Sequence, residues 1–206
     1  MSTIAVVSSL ALKGVLERNK TAFEQSLGAR LELRFDATHA ILAQMPLAAD
    51  LLVLTAEAME ALRKSGHVTQ VRALGSSGIG IAVRAGAPKP DIGSVEALKR
   101  ALVSAASVAH SKVGASGVYF AELLTRLDIK LKKRVVAEKG PFGLVVAEGG
   151  AEIGVQQLCE LEPVPGIEIV GPLPEPLQKV THFAAGIPAN AANPKGALAL
   201  MERLHL

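Results

Sequence analysis

Cysteine, aromatic residues and long apolar runs are all scarce in this chain of 206 residues. The single cysteine, Cys159, excludes an internal disulfide and a zinc site built from cysteines. No histidine lies near Cys159 in the sequence, so we expect a small apolar side chain after a strand rather than a nucleophile. No apolar run approaches the ~18 residues that span a bilayer, so we expect no direct membrane insertion.

The shortage of aromatic residues indicates an aliphatic core. Phe, Trp and Tyr together make up 3% of the chain, with no Trp and one Tyr, whereas hydrophobic residues make up 50%. A core of Ala, Val, Leu and Ile is typical of α/β proteins, in which aliphatic strands are covered by helices rich in Ala and Leu. The composition therefore favours an α/β fold.

Strong charge of either sign is also absent, since the formal net charge is +3. The only tight basic run consists of Lys130, Lys132, Lys133 and Arg134. Aromatic residues do not interleave with this run, and no nucleic-acid-binding motif accompanies it. We interpret it as the solvated face of a turn between a helix and a strand, and we expect no nucleic-acid partner.

The first residues show no charged segment, apolar segment and cleavage site of a secretory leader. Two expectations follow. The protein is cytoplasmic if the sequence is native as given, and periplasmic if a leader was removed.

Strand and helix signals alternate along the chain, which predicts a largely parallel sheet flanked by helices. The predicted strands are 4–7, 30–35, 50–54, 78–83, 107–110, 134–137, 152–155, 167–170 and 181–187. The predicted helices are 10–27, 40–45, 55–64, 95–103, 118–127, 141–148 and 194–204.

Small polar residues follow three successive strands. They are Ser8 and Ser9 after the first, Thr38 after the second, and Thr55 after the third. In open α/β sheets, ligands bind beyond the carboxyl ends of the strands, where free N–H groups and the positive end of a helix dipole favour an anion. The sequence therefore predicts an anion site at this edge.

Proline and glycine concentrate in two segments that could connect lobes. One is 84–90, and the other is 163–176, which holds five prolines. We predict a first lobe of residues 1–85 with 178–206 and a second lobe of residues 86–177. The predicted hinge segments are 85–90 and 172–180.

Five motifs in this order resemble the molybdate-binding branch of the type II periplasmic solute-binding proteins. They are the strand with Ser8-Ser9, Phe35-Asp36-Ala37-Thr38, the stretch from Ala49 to Ala56, Gly114-Ala115-Ser116-Gly117-Val118-Tyr119, and Ala151-Glu152-Ile153-Gly154-Val155. The ending Phe183-Ala184-Ala185-Gly186-Ile187-Pro188 and its closing helix fit the same pattern, so that the resemblance covers almost the whole chain.

The resemblance implies a two-lobed type II periplasmic-binding-protein fold, in which each lobe is a mostly parallel sheet flanked by helices and two crossing segments join the lobes. A small anion would be held in the cleft by hydroxyl and backbone N–H groups, without a metal or cofactor. The ligand-binding residues implied are Ser8, Ser9, Thr38, Ala56, Ser116, Gly117, Val118, Tyr119 and Gln157. The implied partners are a small anionic ligand and an ABC permease, and we expect a monomer.

This sequence departs from the pattern of the molybdate-binding proteins at three places. Thr38 replaces a serine, Gln157 replaces a tyrosine, and the segment 110–116 brings a His and a Lys before the second-lobe helix. The extra His and Lys favour a larger or carboxylated anion, so we expect the ligand to be a molybdate-like oxyanion or a small carboxylate.

Several candidate residues also have a structural interpretation. Ser8 or Ser9, Thr38 and Ser116 could each be a helix N-cap. Tyr119 could belong to the core or its rim. Because side chains alternate along a strand, only one of Gln156 and Gln157 should face the ligand.

A cytoplasmic enzyme or ligand sensor with the same fold is the alternative function. For an enzyme, the acid–base candidates are His110 with Glu152 or Asp36, although nothing in the sequence places them together. The remaining histidines lack the spacing of metal ligands. A transcriptional effector domain would need a helix-turn-helix module that this sequence does not contain.

Overall fold

The chain forms two compact units in a computed structural model that describes residues 2–137, 140 and 142–205. Unit 1 comprises Met1–Ser76 and Thr181–Leu206, and unit 2 comprises Ser77–Val180. Unit 2 is therefore inserted into the sequence of unit 1.

Strands and helices alternate through most of the described chain, as the sequence predicts. The strands are β1 Ser2–Ser9, β2 Ala29–Asp36, β3 Leu51–Thr55, β4 Val68–Arg84, β5 Val108–Ser111, β6 Arg134–Ala137, β7 Ile153–Gln157, β8 Ile167–Pro172 and β9 Val180–Pro188. The α-helices are α1 Lys13–Leu27, α2 Thr38–Leu42, α3 Ala56–Lys64, α4 Val95–Ser104, α5 Ala115–Arg126, α6 Phe142–Ala147, α7 Leu158–Leu161 and α8 Pro194–Met201. Short 3₁₀ helices occupy Leu10–Leu12 and Glu175–Leu177.

The sheet of unit 1 has the strand order β2-β1-β3-β9-β4. Strand β1 is parallel to both β2 and β3, and Ser8 pairs with Phe35 on one side and with Val53 on the other. Strand β9 runs antiparallel to β3. The carboxyl ends of β1, β2 and β3 therefore meet at one edge, which brings together the strand ends singled out in the sequence.

A buried carboxylate links two elements of unit 1 by hydrogen bonds. Asp50 is 5% exposed, and its Oδ2 accepts the Ala5 N–H at 2.8 Å while its Oδ1 accepts the Asn193 N–H at 2.6 Å. The Asn193 side chain in turn accepts the Gly196 N–H as the N-cap of α8. Asp50 thus joins β1 to the start of α8.

The sheet of unit 2 has the strand order β8-β4-β7-β5-β6. Strand β5 is parallel to β6 and β7, whereas β4 is antiparallel to β7 and β8. Its main core cluster packs Phe120 and other residues of α5 against strand residues such as Ile81, Val108 and Val155. The carboxyl ends of β5, β6 and β7 form one edge, at which α5 begins.

The predicted fold class, an α/β fold of the type II periplasmic-binding-protein kind, is confirmed. Three helix starts differ from the prediction by two or more residues, because α1 begins at Lys13, α2 at Thr38 and α5 at Ala115. The predicted helix 141–148 corresponds to α6, and its first residue, Pro141, lies outside the described residues. The short helix α7 has no counterpart in the predicted pattern.

The segment at 85–90 lies within unit 2, although its Pro/Gly content suggested a hinge. Glu168 of β8 holds this segment, because its carboxylate accepts the Gly86 N–H at 3.0 Å and pairs with the Lys89 ammonium at 2.9 Å. The N–H of Gly86 is the main reason that the pKa of Glu168 is lowered. The chain instead passes between the units at Ser76 and Ser77, inside the continuous strand β4.

Candidate functional site

Ser9 carries the clearest sign of a binding function in unit 1. It is 4% exposed and lies at the end of β1, and its Oγ has no hydrogen-bond partner among the described residues. Ser9 is the N-cap residue of the 3₁₀ helix, but its side chain makes no cap hydrogen bond. The hydroxyl of Ser8 is engaged, since it donates to the Ser9 carbonyl at 3.1 Å. Of the two serines, Ser9 is therefore the one with a hydroxyl available to a ligand.

Thr38 and Ala56 lie at the same edge as Ser9, each as the first residue of a helix. The N-cap of α2 is Ala37, so the interpretation of Thr38 as a cap is wrong. The N-cap of α3 is Thr55, as predicted, and its hydroxyl accepts the Ala58 N–H at 3.3 Å. The N–H of a first helical residue has no acceptor within its own helix. This leaves the Ala56 N–H directed away from α3 at the predicted edge.

In unit 2, Ser111 and Gly114 establish the start of α5. The N-cap of α5 is Gly114, whose N–H donates to Ser111 Oγ at 2.8 Å. Ser116 is the second residue of the helix and 3% exposed, so its interpretation as the cap is wrong. The sequence signal for this arrangement is a serine three residues before a glycine.

This earlier helix start changes which backbone groups are available in unit 2. The Val118 N–H donates to the Gly114 carbonyl at 3.0 Å, so it is already used within the helix. The first three N–H groups of α5, at Ala115, Ser116 and Gly117, lack such an intrahelical acceptor. Gly117 stays a predicted backbone donor to the ligand. The donor role predicted for the Val118 N–H is instead open to the N–H groups of the three residues before it.

Gly117 is required at its position by close packing. A Cβ on Gly117 would lie 1.9 Å from the Ser111 carbonyl oxygen and 2.6 Å from the Ser111 carbonyl carbon. Any side chain would therefore push the start of α5 away from the end of β5.

Tyr119 has a structural partner in unit 2. Its hydroxyl donates to the Leu177 carbonyl at 3.0 Å, and its ring packs against the main core cluster of the unit. The Lys179 ammonium lies 5.1 Å from the ring centroid. The structural interpretation of Tyr119 as a rim residue therefore has direct support, while a ligand contact stays a prediction.

Gln156 and Gln157 differ in what they contact. The Gln156 side chain is committed at both ends, since its Oε1 accepts the Phe142 N–H at 3.1 Å and its Nε2 donates to Glu160 Oε1 at 2.8 Å. Gln157 is 3% exposed and precedes α7 as its N-cap residue, without a side-chain cap hydrogen bond. A ligand contact of Gln157 stays a prediction.

Glu160 is a titratable group that the sequence did not indicate. Burial raises the pKa of its carboxyl to about 7, and hydrogen bonds from the Gln156 side chain and the Gln157 backbone oppose this shift. A carboxyl with such a pKa changes its charge near neutral pH. Its helix, α7, directly follows β7, so Glu160 lies close in sequence to the carboxyl edge of unit 2.

We expect the variant Glu160→Gln to remove a pH dependence of stability. The raised pKa means that folding favours the protonated carboxyl. The stabilisation of the folded state by this carboxyl is therefore fully present below pH 4.5, the ordinary pKa, and is lost as the pH rises through about 7. The variant should gain stability relative to the unmutated protein across this interval. Urea unfolding followed by the fluorescence of Tyr119, the only tyrosine, measures the difference.

Glu162→Gln is the control for this experiment, because it makes the same change at an exposed position of the same segment. It should leave the pH profile unchanged. A constant difference between Glu160→Gln and the unmutated protein at all pH values would contradict the expectation.

The acid–base pair of His110 with Glu152 does not form. His110 is 1% exposed at the carboxyl end of β5, whereas Glu152 precedes β7 and its Oε2 accepts the Ala106 N–H near the opposite end of these strands. Burial lowers the pKa of His110, and nearby Arg134 lowers it further against an opposing hydrogen bond with the Ser111 backbone. Asp36 belongs to unit 1, where its Oδ1 accepts the Ala37 N–H.

Cys159 is buried in α7, and burial raises the pKa of its thiol to about 11, which disfavours a nucleophilic thiolate. Within residues 2–137, 140 and 142–205, no group of three or more His, Cys, Asp or Glu side chains could hold a metal ion. In the same part of the chain, no helix has the length and apolar character needed to cross a membrane.

Solved structures with this fold include two proteins that their descriptions connect with molybdenum. The periplasmic molybdate-binding protein of Azotobacter vinelandii is 18% identical and superimposes with a TM-score of 0.71, over 97% of this chain and 91% of that protein. The substrate-binding domain of a molybdenum ABC transporter from Clostridium difficile is 16% identical with a TM-score of 0.68, over 98% and 91% of the two chains. Similarity at this level of identity shows the fold, which is that of the type II periplasmic binding proteins.

Sequence comparison then gives the family. Residues 4–205 match the bacterial extracellular solute-binding proteins, and the chain belongs to that family. A relative named aconitate isomerase, from a Pseudomonas species, is 37% identical over 218 aligned positions, which cover 99% of this chain and 82% of the relative. The resemblance stated from the sequence motifs is thus confirmed at the level of fold and family.

Proposed function

We propose that this protein binds a small carboxylate anion, with aconitate as the first candidate ligand. The observation that carries the proposal is the 37% identity to the aconitate isomerase over 99% of the chain. That identity is about twice the 18% shared with the molybdate-binding protein of A. vinelandii.

The donor groups of both units suit carboxylate oxygens. Unit 1 offers the Ser9 hydroxyl and the Ala56 N–H, and unit 2 offers the N–H groups at the start of α5. A buried hydroxyl without an acceptor costs about 1–3 kcal/mol, which an oxyanion that accepts its hydrogen bond would offset.

A second candidate function is isomerisation of the same ligand, and the name of the 37% identical relative favours it. An isomerase that moves a proton needs a group that can take it up and return it near neutral pH. Glu160 fits this requirement by its pKa of about 7, and Gln156 orients its carboxyl. Glu160 is therefore the acid–base candidate for the alternative enzyme function, in place of His110, Glu152 and Asp36.

Calorimetry on protein that has been unfolded and refolded, to remove any bound ligand, tests the binding proposal. We expect heat of binding with cis-aconitate or trans-aconitate and none with molybdate or tungstate. Binding of the metal oxyanions alone would overturn the choice of ligand. Absence of binding to all four would overturn the anion-binding function.

Ser9→Ala should weaken binding of the preferred anion about tenfold, as expected for the loss of one buried hydrogen bond to a charged group. Ser26→Ala is the matched control, because the Ser26 hydroxyl is exposed on α1 and donates to the Phe23 carbonyl. Equal affinities of both variants and the unmutated protein would remove Ser9 from the site.

Proton NMR of cis-aconitate incubated with the protein tests for catalysis. Appearance of trans-aconitate that depends on the protein, and that Glu160→Gln reduces, would support the isomerase function. Binding without conversion would instead support a solute-binding role, for which the implied partner is an ABC permease.

A further inference from the structure

His110 is the only one of the five histidines that is fully buried, and both of its ring nitrogens have partners. Its Nε2 lies 2.9 Å from Arg134 Nη2 and 3.3 Å from Arg134 Nε. Because a guanidinium can only donate hydrogen bonds, Nε2 must accept, and the ring proton belongs on Nδ1. Nδ1 then donates to the Ser111 carbonyl at 2.9 Å.

The apolar surroundings of His110 favour the same neutral tautomer. Its ring meets Phe120 edge to face, with ring centroids 5.2 Å apart. Burial lowers the pKa of His110 below its ordinary value of 6.5, so the ring is neutral at neutral pH. A second proton would have to enter between Nε2 and the Arg134 guanidinium, two groups that would then both donate.

Ser111 connects this histidine to the start of α5. The Ser111 carbonyl accepts the hydrogen bond from Nδ1, and its oxygen would lie 1.9 Å from a Cβ on Gly117. The Ser111 Oγ accepts the Gly114 N–H at 2.8 Å. Ser111 therefore contacts both the N-cap and the third residue of the helix.

We propose that His110 is a positioning residue that, with Arg134, orients the Ser111 carbonyl and thereby the first-turn N–H groups of α5 toward an anionic ligand. The inference rests on the proposed anion-binding function. His110 contacts no ligand donor directly, and its effect passes through Ser111. The rigid imidazole suits this role because it offers one donor and one acceptor on opposite sides of a ring.

The sequence alone indicates a different role for His110, as an acid–base group or as the end of a strand. The chain of contacts joins three elements of unit 2, since Arg134 begins β6, His110 and Ser111 end β5, and Gly117 belongs to α5. A shift of Ser111 would reach Gly117 directly, because not even a Cβ fits between the two residues.

Two substitutions of His110 distinguish a role of its hydrogen bonds in positioning Ser111 from a role of its ring in packing. His110→Phe preserves a ring against Phe120 but removes both hydrogen bonds, whereas His110→Asn can keep a donor close to the position of Nδ1. We expect His110→Phe to weaken binding of cis-aconitate or trans-aconitate about tenfold and His110→Asn to recover part of the loss. His67→Phe in unit 1 is the control for the change of residue type and should bind as the unmutated protein does.

Amide hydrogen exchange gives a readout that does not depend on a ligand. In His110→Phe, the hydrogen-bonded N–H groups of Gly114 and Val118 at the start of α5 should exchange faster, while those of Leu123 and Leu124 later in the helix should not change. If the unmutated protein binds none of the anions, the proposed function fails, but this exchange pattern still decides the role of His110.

Unchanged affinity and unchanged exchange in a folded His110→Phe variant would overturn the inference. Equal acceleration of exchange throughout unit 2 would also overturn it, since that result indicates a role in general stability. If His110→Phe does not fold, Arg134→Gln removes the guanidinium at an exposed residue, and it should shift the same amides in the same direction. An absence of any local change in Arg134→Gln would then count against the inference.

Discussion

The Gly117→Ala variant will unfold at a lower temperature than the unmutated protein and will bind the proposed anion more weakly. The new Cβ would lie 1.9 Å from the Ser111 carbonyl oxygen, and a backbone atom cannot move aside as a flexible side chain can. Overpacking of this kind costs about 1–3 kcal/mol. For a unit of this size, we expect the melting temperature to fall by roughly 5–15 °C.

The effect of Gly117→Ala on binding arises from the same displacement, because the first turn of α5 carries the proposed donors. Differential scanning calorimetry measures the stability, and titration with the preferred anion measures the affinity. Gly93→Ala is the matched control in unit 2, since a Cβ there would meet only Asp91 Oδ1, at 3.4 Å. A Gly117→Ala variant as stable as Gly93→Ala would contradict the packing argument.

The Asp50→Ala variant will destabilise unit 1. Removal of the carboxylate leaves the N–H groups of Ala5 and Asn193 without their acceptors, and each such loss costs about 1–3 kcal/mol. We therefore expect the free energy of unfolding to fall by about 2–6 kcal/mol. The start of α8 should loosen as well, because Asn193 is its N-cap.

Circular dichroism during urea unfolding measures this loss, and hydrogen exchange in β1 and α8 locates it. Asp50→Asn retains one acceptor oxygen, so its free energy of unfolding should lie between those of the unmutated protein and Asp50→Ala. Asp91→Ala removes an exposed carboxylate that accepts a single N–H, from Gly93, and should change stability little. If Asp50→Ala and Asp91→Ala lose equal stability, Asp50 does not fasten the two elements.

Local patterns were sufficient to predict the strands, except residues 68–77 of β4, but not the places where the chain changes unit. The alternation in β2 and the aliphatic run in β3 follow directly from burial on one or both faces. The glycines and serines at 75–78 look like a break, yet β4 continues through them because both of its ends pair with other strands. Conversely, 85–90 looks like a hinge but is held by Glu168, a contact between residues far apart in sequence.

In the candidate site too, some features follow from neighbouring residues in the sequence, and others depend on contacts between residues far apart in it. Residue type and strand position were enough to select Ser9, Ala56 and Gly117. Choosing Ser9 over Ser8 required knowledge of which hydroxyl is already used, and the Val118 N–H lost its predicted role because α5 starts three residues earlier than its apolar pattern indicates. The partners of His110 and Glu160 depend on packing between elements, which single-sequence patterns do not report.

The place of β9 determines the order in which the protein can be completed during its synthesis. This strand lies between β3 and β4 in the sheet of unit 1, although the ribosome makes it after all of unit 2. Unit 2 is contiguous in sequence, so every residue of its sheet is available before β9 has been made. The nascent sheet of unit 1 must meanwhile keep an open edge on β3, which only the last part of the chain can close.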